Sequence, residues 1–303
     1  MRPKLWLLTP LVLLAAAISC DVPGAAPPTA FVFPTPNETL TAIFAPTATP
    51  AAPETPTPPS PATVIATIVT PAGAPPTATL ASLSSRPNGV IVEAARLDPA
   101  PTIDGELSDW TAFPYKVDQI VYGASRWTGL SDASGTFALS WDASYLYVAV
   151  HVTDDKYVQV ASGENIWKGD EVEIQLDADL PLDFYTASLS ADDYQMGMTA
   201  GNFGSIAPQA YRWYPQAKHT ALPTVTVAGK ATPQGYDLEA RIPWTVFSIT
   251  PTEGSRFGFT LSISDDDAAG TPAQQSMVSS VSTRKLLNPT TWGTLALTGP
   301  IAK

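Results

Sequence analysis

Two segments of this chain alternate apolar and polar residues with a period of two, and this pattern narrows its possible folds more than any other feature. The apolar residues of each segment fall on one face of an extended strand: Leu146, Val148, Val150 and Val152 in the first, and Val172, Ile174 and Leu176 in the second. Similar runs recur at 136–141, 236–242, 256–264 and 292–297, with Gly, Pro, Asn and Asp clusters between them. Strands with one apolar face bury it against a second layer. We therefore predict an all-β fold, a two-sheet antiparallel β-sandwich of the jelly-roll or immunoglobulin-like kind.

The predicted sandwich is confined to residues 89–303, because the composition changes sharply before it. Residues 20–88 form a Pro/Thr-rich linker, and 16 of the 31 prolines lie between residues 21 and 88. Proline fixes φ and removes a backbone donor, so neither helix nor sheet suits this segment. We predict a disordered, extended stalk that holds the sandwich away from its point of attachment.

The first 19 residues have the layout of a bacterial export signal. Arg2 and Lys4 precede an apolar run that is too short to span a membrane, and the run ends at Cys20. Residues 17–20, Ala-Ile-Ser-Cys, resemble a bacterial lipobox. The resemblance implies cleavage before Cys20, lipid such as palmitate on its sulfur, and a lipoprotein on the extracytoplasmic face of the cell membrane. An ordinary cleaved signal with a chance cysteine is the alternative.

Charge and cysteine content exclude several classes of function. The chain carries 28 acidic and 16 basic residues, a formal net charge of −12. This balance disfavours nucleic acid, whose phosphates require clustered Lys and Arg. Cys20 is the only cysteine, so an intrachain disulfide and a thiolate zinc site are both excluded. An acidic chain is compatible with Ca²⁺, which binds carboxylate oxygens.

Several short motifs occur in a fixed order along the predicted sandwich. They are Ile103-Asp104-Gly105-Glu106-Leu107-Ser108-Asp109-Trp110, Ser140-Trp141-Asp142, Ile166-Trp167-Lys168-Gly169-Asp170-Glu171-Val172-Glu173, Gly235-Tyr236-Asp237-Leu238-Glu239-Ala240, and Trp292-Gly293-Thr294-Leu295. Each is weak alone, and the ordered set is specific. Together they resemble the family 9 carbohydrate-binding module, within the wider group of DOMON-like β-sandwiches, over roughly residues 90–298.

That resemblance implies a sandwich that grips a terminal sugar between two tryptophans, often with structural Ca²⁺. Trp167 falls on the first of these tryptophans and Glu173 on a hydroxyl-binding glutamate. Gly197 and Thr199 replace the family's arginine and asparagine, and the second tryptophan would lie near Leu286, where none is present. The residues predicted to bind a ligand are Trp167, Lys168, Glu171, Glu173, Gln195 and Trp213, with Tyr211 and Tyr214 as further candidates for a wall.

Each of these features also has a simpler interpretation. Trp110, Trp141, Trp244 and Trp292 are expected to pack in or over the core. Glu171 and Glu173 are explained equally well by solvation on the outer strand face. The acidic groups that are candidates for Ca²⁺ are Asp154-Asp155, Asp177 with Asp179, and Asp265–Asp267, although acidic turns are often simply solvated.

The sequence favours recognition of a glycan over catalysis. Only two histidines are present, His151 and His219, and neither a Gly-x-Ser-x-Gly elbow nor a His-Glu-x-x-His pair occurs. We expect no enzymatic activity and no redox cofactor, and a polysaccharide or cell-envelope glycan as partner. The alternatives are a structural or protein-interaction sandwich that has lost its sugar site, and a haem-binding DOMON-like domain that uses Met196 or Met198 with a histidine or Lys218.

Overall fold

The computed structural model describes residues 85–300, and these form an almost purely β domain. The fourteen strands are β1 (Ile91–Arg96), β2 (Tyr115–Val117), β3 (Gln119–Tyr122), β4 (Ala133–Trp141), β5 (Tyr145–Asp154), β6 (Glu171–Asp177), β7 (Asp193–Thr199), β8 (Gln209–Tyr214), β9 (Thr220–Ala221), β10 (Thr226–Thr232), β11 (Gly235–Pro243), β12 (Arg256–Asp265), β13 (Ser276–Ser279) and β14 (Gly293–Pro300). Short 3-10 helices span Leu107–Asp109, Gly163–Lys168, Gln216–Lys218, Trp244–Val246 and Pro289–Thr291. The predicted signal, Cys20 and most of the stalk lie outside the described residues.

Hydrogen bonds join the strands into one curled sheet in the order β10-β11-β5-β4-β1-β14-β12-β6-β7-β8-β9. Beside this path, β2 pairs with β4, and β13 bridges β12 and β3. The predicted β-sandwich is confirmed, with one difference. β1 runs parallel to both of its neighbours, β14 and β4, where we expected antiparallel pairing throughout. β1 follows an irregular segment rather than a hairpin, so no tight turn fixes its direction.

The apolar faces that the alternation identified meet in the core. Val148, Val150, Val172 and Ile174 are fully buried there, together with Phe259 at 1% exposure. Burying such side chains stabilises the fold by about 1.5–3 kcal/mol each. Trp141, Trp244 and Trp292 are buried as expected, whereas Trp110 is only half-buried.

The opening motif is locked to the sheet by one buried carboxylate. Glu239 on β11 accepts hydrogen bonds from the backbone N–H of Gly105 at 2.9 Å and from Trp110 Nε1 at 2.8 Å. Gly105 has φ +88° and packs against the backbone of Gly229, which leaves no room for a side chain. The half-buried Trp110 therefore holds the opening motif against β11 through its hydrogen bond to Glu239.

The folded domain begins before the predicted boundary at Gly89. Arg86 is 4% exposed, and its guanidinium pairs with Asp177 Oδ2 at 2.7 Å. Asn88 donates from its side chain to the carbonyls of Thr290 and Trp292, at 2.8 Å each. Within residues 85–300, no helix has the length and apolarity required to cross a bilayer.

Candidate functional site

An open groove of about 530 Å³ lies on the sheet face formed by β6, β7 and β8, on the side opposite the core. It brings together four of the six residues predicted to bind a ligand: Trp167, Glu173, Gln195 and Trp213. The rest of the lining is Val121, Tyr122, Gln274, Met277 and the segment Arg284–Leu286. The groove has aromatic walls and a polar floor, the usual combination in sites for small polar ligands.

Trp167 is held at the rim by a 3-10 helix whose ends are fixed. Ile166 beside it is fully buried, and its carbonyl accepts from Gln159 Nε2 at 3.0 Å. The carbonyl of Trp167 accepts from Ser264 Oγ at 3.1 Å. The indole itself is 37% exposed. The backbone is thus rigidly placed, and one part of the ring stays open to the groove.

Trp213 forms the neighbouring wall and depends on a glycine beneath it. Its Nε1 donates to the carbonyl of Glu164 at 2.8 Å, which ties β8 to the 3-10 helix that carries Trp167. A Cβ at Gly197 would lie 2.5 Å from Trp213 Cη2, so only glycine allows the indole to lie this close to β7. Gly197 stands where the resemblance places an arginine, and its space is taken by the indole.

The groove floor is a hydrogen-bonded polar network centred on Glu173. One carboxylate oxygen of Glu173 accepts from Gln195 Nε2 at 2.7 Å, and the other pairs with the Arg284 guanidinium. Arg284 Nε also donates to Gln175 Oε1 at 2.8 Å, and Gln175 Nε2 donates to the Leu286 carbonyl at 2.9 Å. Glu173 is 2% exposed and fully partnered, so it is fixed rather than free to adapt.

The interpretation of Glu171 and Glu173 as solvated side chains is wrong. All four polar residues on this face of β6 are buried: Glu171, Glu173, Gln175 and Asp177, at 0–2% exposure. Irregular segments cover three of them, because Arg284 pairs with Glu173 and donates to Gln175, and Arg86 pairs with Asp177. Alternation identifies the polar face of a strand, but it does not show whether loops cover that face.

Glu171 and Lys168 hold positions beside the groove rather than in its lining. Glu171 is fully buried beneath Gly197 and Trp213, and neither of its carboxylate oxygens has a hydrogen-bond partner in residues 85–300. Burial raises its pKa well above the ordinary value, and the nearby charge of Glu173 raises it further. The Lys168 ammonium lies 5.2 Å from the centroid of the Trp167 ring, within reach of a cation–π interaction.

Tyr211 packs beside Trp213, with ring centroids 6.0 Å apart, and it contacts His219 at 5.1 Å. These rings extend the aromatic surface past the rim, although Tyr211 and Tyr214 do not line the groove itself. No sequence motif indicated that Arg284 and Tyr122 belong to the site. Arg284 lies 111 residues from Glu173 along the chain, and no local pattern joins them.

A second open groove, of about 480 Å³, lies on the other side of the domain. Trp110, Tyr115 and Glu93 are among its lining residues. None of the predicted ligand-binding residues lies there. The groove at Trp167 is therefore the better candidate site.

An acidic cluster lies beside the start of β4, the end of β5 and the end of β12. Asp132, Asp155 and Asp267 each offer a carboxylate oxygen, and these atoms lie within 4.8 Å of one another. Asp154 and Asp265 are 6% and 2% exposed, and each keeps one oxygen without a hydrogen-bond partner in the described part of the chain. Burial, with the neighbouring charge of Asp267, raises the pKa of Asp154 to about 6 and that of Asp265 to about 7.

The donors of this cluster fit a calcium ion. Ca²⁺ binds six to eight oxygens at about 2.3–2.6 Å, so oxygens on opposite sides of the ion lie about 4.6–5.2 Å apart. Carboxylate oxygens that lie within 4.8 Å of one another are close enough to contact the same ion. By contrast, the other predicted candidate, Asp177, is already paired with Arg86.

The residues considered for haem are placed elsewhere. Met196 and Met198 are fully buried in the core, as the packing interpretation expects. His151 lies on β5 with Nδ1 2.5 Å from Asp237 Oδ1. Lys218 donates to Tyr194 Oη at 3.0 Å and to Ser248 Oγ at 2.9 Å. Both His151 and Lys218 are therefore held by other partners within the described part of the chain.

Comparison with known proteins identifies the family and the fold. The family described as "Carbohydrate family 9 binding domain-like" matches residues 103–300. Two curated relatives match over 172 residues: Exoglucanase XynX of Acetivibrio thermocellus at 33% identity, and Endo-1,4-beta-xylanase A of Thermoanaerobacterium saccharolyticum at 31%. The match covers 56% of this chain but only 14% and 13% of those two proteins.

Two solved structures share the fold. Both are of a family 9 carbohydrate-binding module from Caldicellulosiruptor kristjanssonii, one in complex with cellotriose and one with glucose. The TM-scores are 0.52 and 0.51, each at 23% identity. The likeness covers 71% and 70% of this chain, and 100% and 98% of those chains.

Proposed function

The chain belongs to the carbohydrate family 9 binding-domain-like family, and from this premise we propose that it recognises a glycan without catalysis at the Trp167 groove. The observation that carries the proposal is the convergence of Trp167 and Trp213 on a floor of fully partnered polar groups. Pyranose rings have apolar faces that pack on indoles and polar rims that need fixed donors and acceptors. Both requirements are met by side chains whose positions are set before a ligand arrives.

The geometry further supports an open site with modest affinity. Trp167 and Trp213 line one side, whereas Leu286, at 41% exposure, lies where a facing tryptophan would enclose the sugar. An open groove removes less of the ligand surface from water than a closed sandwich does. We therefore expect a single sugar to bind weakly, and a longer glycan to gain contacts along Tyr211.

Trp167→Ala tests this assignment. We expect the variant to lose at least about tenfold in glycan affinity, because the ring provides a stacking surface and excludes water. The measurement is a glycan array on the full-length chain, followed by calorimetric titration with the strongest ligand. Thermal unfolding should change little, since the ring is 37% exposed.

Tyr185→Ala is the matched control, because Tyr185 is an aromatic residue 79% exposed outside the groove. It should bind glycan as the parent does. Binding that is indifferent to Trp167→Ala, or absent for every sugar, would contradict the proposal. Either result would favour the second candidate function, a structural or interaction module that has lost its sugar site. The absence of a tryptophan at position 286, where the chain has Leu286, supports that candidate.

We propose that the recognition is non-catalytic, since the matched family is a binding domain. The relatives named exoglucanase and xylanase contain this segment as 13–14% of their length, so it is a small part of those proteins. Two of the carboxylates in the site are also constrained. Glu173 is paired with Arg284, and Glu171 is buried beneath Trp213.

Calcium is the cofactor we propose, held by Asp132, Asp155 and Asp267 with the free oxygens of Asp154 and Asp265. The ion would offset the mutual repulsion of these carboxylates and join β4, β5 and β12 at one end of the sandwich. We expect added Ca²⁺ to raise the melting temperature, by an amount equivalent to about 2.7 kcal/mol at 100 times Kd. Differential scanning calorimetry with Ca²⁺, EDTA and ionic-strength-matched NaCl measures it.

Asp155→Asn removes one donor at an exposed position and should weaken the calcium-dependent increase. Glu253→Gln, an exposed acid at the opposite end of β12, should leave the increase unchanged. A melting temperature that is the same in Ca²⁺ and EDTA would refute the cofactor.

We further propose a lipoprotein: a signal peptide over residues 1–19, lipid on Cys20, and a stalk from Cys20 that ends before Arg86 and displays the domain outside the cell membrane. This rests on the sequence pattern alone, since these residues lie outside the described part except for residue 85. Metabolic labelling with a palmitate analogue, lost in Cys20→Ser, tests the anchor. The stalk would let the groove reach a polysaccharide or an envelope glycan.

A further inference from the structure

The Trp167 groove carries an excess of positive charge at its rim. The charged side chains in its lining are one carboxylate, Glu173, and two cations, Arg284 and Lys285. Lys168 adds a third cation beside the Trp167 ring. This is a local exception in a chain whose formal net charge is −12.

The positive charges of Lys168 and Lys285 are not neutralised by an acidic partner among the described residues. Arg284 pairs with Glu173, so their charges offset each other. Neither Lys168 nor Lys285 forms an ion pair with any residue from 85 to 300. The backbone of Lys285 is pinned, because its N–H donates to Thr291 Oγ1 at 2.9 Å and its carbonyl accepts from Trp292 Nε1 at 3.0 Å. Its side chain is exposed at the groove.

The neighbouring acids do not compensate for the lysines. Glu171 is buried under Gly197, and burial raises its pKa, which favours the neutral form. Glu164 is 62% exposed, its carboxylate lies 3.9 Å from His219 Nε2, and it is not part of the groove lining. A ligand stacked on the indoles therefore meets one ammonium group in the groove lining, that of Lys285, and a second beside the Trp167 ring, that of Lys168.

Resting on the proposed function, we propose that this groove selects a glycan bearing a carboxylate, a uronic acid at or next to the sugar that stacks on Trp167. The indoles take the sugar ring, and Lys285 and Lys168 pair with the carboxylate. Charges elsewhere on the domain are screened beyond about 8 Å at physiological salt, whereas the rim lysines act at contact distance. The overall acidity disfavours a dense polyanion, so the fitting ligand is a glycan with sparse uronate groups.

The test compares glucose with glucuronic acid, and cellotriose with its singly uronated counterpart, by calorimetric titration of the full-length chain. These pairs share the ring and differ in the carboxylate. We expect the acidic member to bind about threefold to tenfold tighter, the range that one or two exposed ion pairs provide. The difference should shrink in 0.5 M NaCl, and the uncharged methyl ester of glucuronic acid should bind like glucose.

The double variant Lys168→Gln with Lys285→Gln should abolish the preference while retaining affinity for cellotriose. Lys116→Gln, which removes one positive charge at an exposed site on β2 outside the groove, should keep the preference. Equal or tighter binding of the neutral sugars by the parent, or a preference that survives the double variant, would overturn this inference and leave the proposed function intact. Absence of binding to any of the four sugars would count against both.

Discussion

Gly197→Ala should destabilise the domain by about 3 kcal/mol and remove glycan binding, because the added methyl group has no space. Its Cβ would overlap Glu171 Oε2 and lie 2.5 Å from Trp213 Cη2. Glu171 is fully buried, so the shift falls on the Trp213 indole, which then leaves its position at the groove wall. Urea unfolding and glycan titration of the same preparation measure the two effects.

Gly204→Ala is the matched control, since Gly204 also lacks a positive φ and its added Cβ would meet nothing closer than 3.5 Å. That variant should keep both stability and binding. If Gly197→Ala is too unstable to titrate, Trp213→Ala removes the same wall without adding volume and should lose binding in the same way. Normal glycan affinity in both Gly197→Ala and Trp213→Ala would exclude Trp213 from the site.

The sequence predicted those parts of the site that follow from local pattern. Trp167 and Glu173 lie six residues apart in one motif, and the alternation of β6 placed Glu173 on the face opposite the core. Gln195 and Trp213 follow on neighbouring strands of the same sheet, and the pairing of these strands brings them to the same groove. Strand pairing turns a short-range pattern into a two-dimensional surface, which is why these four residues come together in the structure.

What the sequence could not predict is the contribution of irregular segments. Arg284 and Leu286 lie in a loop between β13 and β14, and no periodicity relates such a loop to β6. The burial of Glu173 follows from the same loop, because it covers a face that alternation marks only as polar. The position of this loop depends on contacts between residues more than 100 positions apart in the chain. The same contacts bring the charged residues of the loop to the groove rim.

The ion pair between Arg86 and Asp177 joins a residue of the predicted stalk to strand β6. Arg86 lies within the segment predicted as the stalk. Its side chain is nonetheless 1% exposed and pairs with a fully buried aspartate on β6. Burial, together with the nearby charge of Asp183, raises the pKa of Asp177 to about 6 against the lowering effect of Arg86. The aspartate therefore remains ionised at neutral pH largely because the guanidinium is present.

Arg86→Met should destabilise the domain by about 3–5 kcal/mol at pH 8, because it leaves the Asp177 carboxylate buried without a partner. The pKa of Asp177 then rises beyond about 6, so the folded variant holds its proton to higher pH than the parent does. A folded-state pKa above the unfolded value means that stability falls as pH rises through that range. The loss of stability should thus be small at pH 5 and grow as pH increases past 6.

Urea unfolding at pH 5 and pH 8 measures this loss. The control is the double variant Arg86→Met with Asp177→Asn, in which both side chains are uncharged. The double variant should recover most of the loss at pH 8, whereas an equal deficit at both pH values would mean that Arg86 stabilises the domain through packing alone.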